Sequence, residues 1–151
     1  MILNESELRA WGESIGACAK LPLFIALRGT LGAGKSVLAR AIARGAGVAG
    51  PMPSPTFNLL YRYDGADGVE VNHLDLYRLE DPEEVWELGW SELGVGRQIV
   101  LVEWPERAEA LLPEPRWEIT LTETDDPLLR RVEYQAVGEL APIPEPAKLH
   151  D

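Results

Sequence analysis

The first fifty residues pass from an amphipathic segment to a fully apolar one and back. Between residues 5 and 20, apolar residues recur every three to four positions, which predicts a helix with Asn4 as its N-cap and Glu7 placed to complete a capping box. Residues 23–27 are continuously apolar, as is typical of a strand buried on both faces. Residues 37–47 are rich in alanine, leucine and arginine and predict a second helix that a glycine ends.

The rest of the chain carries the shorter periods of a β-sheet. Residues 56–63 and 69–77 alternate in polarity, are rich in aromatic and β-branched residues and are separated by DGADG, so they predict an antiparallel hairpin. The remaining predicted elements are a short acidic helix at 81–88, a fully apolar strand at 99–102, a short helix at 106–112, and alternating strands at 117–122 and 130–136.

Charge is unevenly distributed along the 151 residues. The chain has 14 Lys and Arg against 25 Asp and Glu, a net charge of −11, and residues 64–92 hold ten acids and one base. A surface this negative repels phosphate backbones, so we expect no direct, high-affinity nucleic-acid binding by this chain. No apolar run is long enough to cross a membrane and the first residues lack the features of a signal peptide, so we expect a soluble, cytoplasmic protein.

A glycine-rich loop separates the first apolar strand from the second helix. Residues 29–36, GTLGAGKS, satisfy G-x-x-x-x-G-K-[ST] in the context that this motif requires. In such a loop the backbone amides point at an anion and the following helix adds the positive end of its dipole. Lys35 can then reach the β- and γ-phosphates, and the hydroxyl of Ser36 can ligate Mg²⁺. The alternative is an ordinary glycine turn that caps a helix.

This loop completes the predicted fold. The class is α/β, a single P-loop NTPase-like domain over residues 1–138 with a mixed sheet, an antiparallel hairpin and flanking helices. Residues 139–151 carry three prolines and predict a flexible, Pro-rich tail. The guanine-reading N-K-x-D signature is absent, which favours ATP over GTP as the bound nucleotide. The predicted nucleotide-binding residues of the loop are Gly32, Ala33, Gly34, Lys35, Ser36 and Val37.

A P-loop protein also needs a carboxylate at the end of a neighbouring strand to hold Mg²⁺. Glu103 ends the apolar run 99–102 and is predicted to emerge beside the loop. Asp75 is a second candidate, although a solvent-facing acid is the default on an alternating strand. Thr56 follows Ser-Pro and resembles a switch threonine that senses the γ-phosphate, with a strand-start threonine as the alternative.

Other conspicuous residues are interpreted as structural. A single histidine on an alternating strand, His73, is more often structural than a catalytic base. Cys18, near the end of the first helix, is predicted to be buried filler, and one cysteine excludes an intrachain disulfide. Three tryptophans on apolar faces are predicted to be core residues, namely Trp11, Trp86 and Trp117, and Trp90 is either core or a partner contact.

Four stretches together resemble the bacterial TsaE (YjeE) family of threonylcarbamoyladenosine-biosynthesis ATPases. They keep their order and spacing across about two thirds of the chain: LRGTLGAGKS at 27–36, SPTFNLLYRY at 54–63, HLDLYRLEDPEEVWELGW at 73–90 and LVEWPERAEALLP at 101–113. The resemblance implies an ATPase that works with the TsaD–TsaB complex, which makes N6-threonylcarbamoyladenosine in tRNAs that read codons beginning with A. It thus implies that the chain contacts tRNA only indirectly, through that complex.

The resemblance also implies roles for individual residues. Ser36 and Glu103 surround Mg²⁺, Asp75 and Thr56 take metal-shell and switch roles, and Lys35 acts with them in catalysis. Trp104 lies beside the site as a partner or switch residue. Arg130 matches a family arginine near the nucleotide, with a solvated strand-start arginine as the alternative. The chain departs from the family where Thr30 replaces the usual acid and where Ser36 replaces the usual threonine.

These observations lead to one expected function and two rivals. The expected function is a Mg²⁺-dependent ATPase subunit required for tRNA threonylcarbamoyladenosine modification. The first rival is a small-molecule kinase, which would need an acceptor pocket and a lid that the sequence does not suggest. The second is an adaptor that binds nucleotide without hydrolysing it.

Overall fold

Seven strands form one mixed sheet in the computed structural model, which describes residues 1–52 and 59–146. They are β1 Ile2–Asn4, β2 Leu23–Gly29, β3 Leu60–Asp64, β4 Glu70–Asp75, β5 Gln98–Glu103, β6 Arg116–Glu123 and β7 Leu129–Val137. Their order across the sheet is β1-β7-β6-β2-β5-β4-β3. Neighbours from β6 to β4 run parallel, and the outer pairs β3–β4, β6–β7 and β1–β7 are antiparallel. The predicted α/β fold with a mixed sheet and a hairpin is confirmed.

The central strands are apolar because both of their faces are covered. Residues 23–27 of β2 and 99–102 of β5 are buried without interruption, as predicted. The alternating burial predicted for β4 is wrong, since residues 71–74 are all buried. The reason is that both faces of β4 are covered, since Val71 belongs to the core cluster on one face of the sheet and Leu74 to the cluster on the other. The predicted hairpin itself is present, although residues 56–58 lie outside the described part.

Two α-helices cover one face of the sheet. Helix α1, Glu5–Ala17, begins with the predicted capping box between Asn4 and Glu7, and α2 spans Lys35–Gly45. Their backbones approach so closely that a Cβ at Gly16 would lie 2.0 Å from the carbonyl oxygen of Ile42. Cys18 is exposed rather than buried as predicted, because α1 ends one residue earlier and Cys18 is its C-cap.

Short 3₁₀ segments cover the opposite face. They span Pro82–Leu88, Trp90–Glu92 and Pro105–Leu111, so the two predicted short helices are present in 3₁₀ form. Trp90 is core, since it packs edge-on against Phe24 of β2 at 6.0 Å between ring centroids. Trp86 is 52% exposed, so its predicted core position is wrong, whereas Trp11 and Trp117 are buried as predicted. The 3₁₀ geometry brings Val85 rather than Trp86 into the core.

The described part of the predicted tail, residues 139–146, has no helix or strand but contacts the domain. The indole of Trp11 donates to the carbonyl oxygen of Pro144 at 2.7 Å, and that of Trp117 to Ala141 at 3.3 Å. Leu140 and Ile143 pack against the main core. Among the described residues, no helix has the length and apolar character needed to cross a lipid bilayer.

Candidate nucleotide-binding site

The carboxyl ends of three adjacent parallel strands bring the predicted site residues together. The glycine loop follows β2, Glu103 ends β5 and Asp75 ends β4. Asp75 and Glu103 are paired in the β4–β5 register, so their side chains lie on the same face of the sheet. That face is the one covered by α1 and α2, and α2 begins at the end of the loop. In open α/β sheets, this edge is where ligands bind.

The glycine loop has the backbone of an anion site. Gly29 has φ of 148°, and a Cβ there would lie 2.5 Å from the carbonyl oxygen of Leu121. Gly34 is the left-handed N-cap of α2, with φ of 104° and no side-chain cap on the first turn. The amides that begin α2 are therefore directed at the loop with no protein side chain bonded to them as a cap, which is the arrangement that binds phosphate.

Lys35, at the first position of α2, is buried at 4% exposure. Its Nζ donates to the carbonyl oxygens of Gly29 and Thr30, the second at 3.3 Å, and lies 3.6 Å from the ring centroid of Trp104. Burial lowers the pKa of Lys35, and nearby carboxylates, Glu103 first among them, offset this only in part. The ammonium group is thus held inside the loop, where burial disfavours its charge. A phosphate bound beside it would offset this cost.

Glu103 is the centre of a buried hydrogen-bonded group. The hydroxyl of Ser36 lies 3.0 Å from both carboxylate oxygens, and Nε2 of His73 lies 2.6 Å from Oε2. The side chains of Glu103 and His73 are 3% and 4% exposed. The contact of His73 with Glu103 is not predicted from the sequence, where His73 is interpreted as structural. The available signal was its position two residues before Asp75, since residues i and i+2 of a strand share a face.

Asp75 stands at the edge of this group and is half-buried. Its Oδ1 accepts a hydrogen bond from the amide of Tyr77 at 3.0 Å. Burial raises the pKa of Asp75; the bond from Tyr77 counteracts this in part, and the charge of Glu103 adds to it. Two carboxylates in one site, one of them with a raised pKa, are typical of functional sites.

The oxygen donors of this site fit magnesium. Mg²⁺ prefers oxygen ligands and is usually held by one or two carboxylates together with substrate phosphates and water. Ser36 and Glu103 supply a hydroxyl and a carboxylate in contact with each other, and Asp75 supplies a second carboxylate. Within residues 1–52 and 59–146, no group of three or more His, Cys, Asp and Glu side chains is placed to hold a metal ion.

Trp104 has an unusual backbone. Its φ of 57° and ψ of 49° place it in the left-handed region, which residues other than glycine rarely adopt. The ring contacts Lys35 and also Tyr77, whose ring centroid lies 4.9 Å from that of Trp104. Tyr77 is exposed. The predicted residue beside the site therefore connects the P-loop lysine with the protein surface.

Arg130, at the start of β7, reaches the glycine loop. Its Nε donates to the carbonyl oxygen of Ala33 at 3.1 Å and its Nη2 to that of Gly32 at 3.2 Å, while Nη1 bonds carbonyls of its own turn. The structure therefore brings Arg130 to the predicted nucleotide site. Val37 lies in the first turn of α2 and packs against the core. Thr56 lies outside the described residues.

Comparison with known proteins gives consistent results. The family model described as "Threonylcarbamoyl adenosine biosynthesis protein TsaE" matches residues 2–132. The chain is 36% identical over 137 residues to the tRNA threonylcarbamoyladenosine biosynthesis protein TsaE of Bacillus subtilis (strain 168), covering 90% of this chain and 84% of that protein. It is 39% identical over 127 residues to the protein of the same name from Rickettsia bellii (strain RML369-C), covering 83% and 87%. The crystal structure of Bacillus subtilis YdiB superposes with a TM-score of 0.68 and 28% identity, covering 91% of this chain and 84% of that one.

Proposed function

The chain belongs to the TsaE family of threonylcarbamoyl adenosine biosynthesis proteins, and from that premise we propose that it is a Mg²⁺-dependent ATPase. The family takes part in the biosynthesis of threonylcarbamoyladenosine in tRNA. The observation that carries the proposal is the meeting of Lys35, Ser36 and Glu103 at the mouth of the glycine loop. A nucleoside triphosphate with its metal ion requires an ammonium group beside the phosphates, and a hydroxyl and a carboxylate beside the metal.

In this proposal the loop binds the phosphates. The amides at the start of α2 donate to phosphate oxygens, and Lys35 exchanges the carbonyls of Gly29 and Thr30 for the β- and γ-phosphates. Since burial lowers the pKa of Lys35 and the nearby carboxylates offset this only in part, the exchange also supplies further negative charge to the buried ammonium group. Arg130 keeps the loop open to the phosphates by holding the carbonyls of Gly32 and Ala33 away from them.

Ser36 and Glu103 would hold magnesium, with Asp75 close by. When bound, the ion would neutralise charge that develops on the β- and γ-phosphates. Glu103 or Asp75 would orient a water molecule toward the γ-phosphate by accepting a hydrogen bond from it. Positioning and charge stabilisation account for most of the catalysis in phosphoryl transfer, so no covalent intermediate with the protein is required.

We place the ATPase in an assembly with TsaD and TsaB, which would hold the tRNA. Support comes from the resemblance in the four sequence stretches and from charge, since a chain with a net charge of −11 is poorly suited to hold tRNA itself. Trp104 supports a link between nucleotide and partner, because it contacts Lys35 and the exposed Tyr77 at once.

The test is ATP hydrolysis by the purified chain, measured with and without TsaD–TsaB and tRNA. The wild-type chain should hydrolyse ATP in the full assembly and support repeated rounds of tRNA modification, and Glu103→Ala should lose at least about 100-fold in turnover. Glu133→Ala, which removes an exposed carboxylate from β7, is the matched control and should behave as wild type.

Two results would replace the proposal. A chain that binds ATP through Lys35 but whose turnover and partner cycling are unchanged in Glu103→Ala would be a nucleotide-gated adaptor. Transfer of the γ-phosphate to a small acceptor instead of water would make it a kinase.

A further inference from the structure

We propose that His73 is a positioning residue, which fixes the orientation of the Glu103 carboxylate so that one of its oxygens is presented to the metal beside Ser36. The inference rests on the proposed function, because it concerns the magnesium that accompanies the nucleotide. The starting observation is the contact of 2.6 Å between Nε2 of His73 and Oε2 of Glu103, two side chains that are 4% and 3% exposed.

The two neighbours of Glu103 constrain it differently. The hydroxyl of Ser36 lies 3.0 Å from Oε1 and 3.0 Å from Oε2, so this contact does not distinguish the two oxygens. The contact from His73 reaches Oε2 alone, and at 2.6 Å it is also the shorter one. His73 is therefore the group that breaks the symmetry of the carboxylate. With the N–H of His73 donated to Oε2, Oε1 has the hydroxyl of Ser36 beside it and keeps a lone pair for a cation.

The backbone around His73 is suited to this task. His73 lies in the middle of β4, where it is paired with Leu101, and Asp75 is paired with Glu103 two positions further along. Because β4 is hydrogen-bonded on both sides, the distance from His73 to Glu103 is set by the sheet and not by a loop. Groups that orient a metal ligand work best on such rigid elements.

The test separates magnesium binding from nucleotide binding. A fluorescent ATP analogue is titrated onto the purified chain in EDTA, and then at fixed analogue over a range of Mg²⁺ concentrations. His73→Leu, which cannot donate, should raise the Mg²⁺ concentration for half-saturation about tenfold or more, the usual cost of losing an outer partner of a metal ligand. Its affinity for the analogue in EDTA should stay within about twofold of wild type, because His73 contacts the metal ligand and not the loop.

Rescue distinguishes positioning from packing. His73→Gln places an amide N–H near the position of Nε2, and it should restore the Mg²⁺ requirement to within about threefold of wild type. His73→Asn keeps a polar amide that is too short to reach Glu103, so it should also raise the Mg²⁺ requirement about tenfold or more. It tests the inference in place of His73→Leu if the leucine variant does not fold. Asn72→Leu is the control, since Asn72 is as deeply buried in the same strand but faces the other side of the sheet.

Three outcomes would overturn the inference. The first is an unchanged Mg²⁺ requirement in folded His73→Leu or His73→Asn. The second is an equal loss of affinity with and without Mg²⁺, which indicates a general packing defect. The third is a Gln variant as impaired as the Asn variant. If the wild-type chain itself binds the analogue no better with Mg²⁺ than in EDTA, the proposed function fails first, and the two failures are distinguished by this wild-type titration.

Discussion

Two clusters of charged side chains lie at the carboxyl end of β2, on opposite faces of the same sheet. On the face covered by α1 and α2, Lys35, Asp75 and Glu103 form the candidate site. On the other face, Arg28 donates to Glu118 at 2.6 Å and to Glu109 at 2.8 Å, with Arg116 contacting Glu118 at 3.1 Å. Both clusters combine basic and acidic side chains, but the electrostatic outcome is opposite.

In the Arg28 cluster the charges stabilise each other. Burial alone would lower the pKa of Arg28, but its contacts with Glu109 and Glu118 outweigh burial and raise the pKa. Burial alone would likewise raise the pKa of Glu118, but the two arginines outweigh it and lower the pKa. In the candidate site burial prevails, so the pKa of Lys35 is lowered and that of Asp75 is raised. The Arg28 cluster is complete by itself, whereas the site is left for external charges to complete.

The largest expected difference between the clusters is in nucleotide affinity. Lys35→Met should weaken the binding of ATP at least about 100-fold, roughly 2.7 kcal/mol, because it removes the charged donor at the phosphates. The free energy of unfolding of the nucleotide-free protein should stay the same or rise, because the buried ammonium group disfavours its own charge. Nucleotide titration and urea denaturation measure the two effects. A destabilised protein with unchanged affinity would reverse the assignment of this cluster.

Arg28→Met should give the opposite pattern. Glu118, whose side chain is 11% exposed, would lose one of its two arginine partners, so we expect the free energy of unfolding to fall by about 2 kcal/mol. The pair with Glu109 adds little, since that side chain is 53% exposed. Nucleotide affinity should stay within about threefold of wild type. A loss of affinity as large as for Lys35→Met would mean that the two clusters act as one unit.

The contrast between the clusters was only partly accessible from the sequence. Lys35 and Ser36 are fixed by a motif whose spacing is set by phosphate geometry, and Glu103 by its place after a fully apolar strand. Both signals are local, and the structure brings these residues together as predicted. Arg28 has no such signal. Its partners lie 81 and 90 residues away, so the pairing depends on which strands become neighbours.

His73 and β4 show the same limit within the site. The segment 69–77 alternates in its letters, and a strand with one solvated face would place Asp75 in solvent. In the structure both faces of β4 are packed, with Val71 in one core cluster and Leu74 in the other, so the polar residues Asn72 and His73 are buried as well. The elements that cover the two faces decide burial here, and the hydrophobic periodicity of the strand does not encode them.

Arg130 is a cation at the site that bonds backbone carbonyls there and, among the described residues, no carboxylate, and its substitution tests whether it contributes to ATP binding. It donates to the carbonyl oxygens of Gly32 and Ala33, so Arg130→Met should loosen the loop. Loss of two neutral-acceptor bonds should weaken ATP binding about tenfold, which is less than the loss for Lys35→Met. The same titration measures it, with Arg131→Met, an exposed neighbour on β7, as the control. Equal affinities in both variants would assign Arg130 to the fold alone.

The smallest effect is expected at Asp75, where it has a distinctive dependence on pH. A carboxyl group whose pKa is raised by folding stabilises the fold fully below its ordinary pKa and loses that contribution as pH rises through the raised value. Asp75→Asn keeps the acceptor for the amide of Tyr77 and removes the charge. At neutral pH the nucleotide-free variant should therefore be more stable than wild type, by up to about 1 kcal/mol since Asp75 is only half-buried. The gain should shrink as pH is lowered toward the ordinary range of an aspartate, and urea denaturation at several pH values measures it.

Glu118→Gln should show the opposite sign, because the pKa of Glu118 is lowered by folding. A variant at Asp75 that is destabilised at neutral pH would mean that its carboxylate is already balanced in the free protein, and the contrast between the two clusters would not hold there.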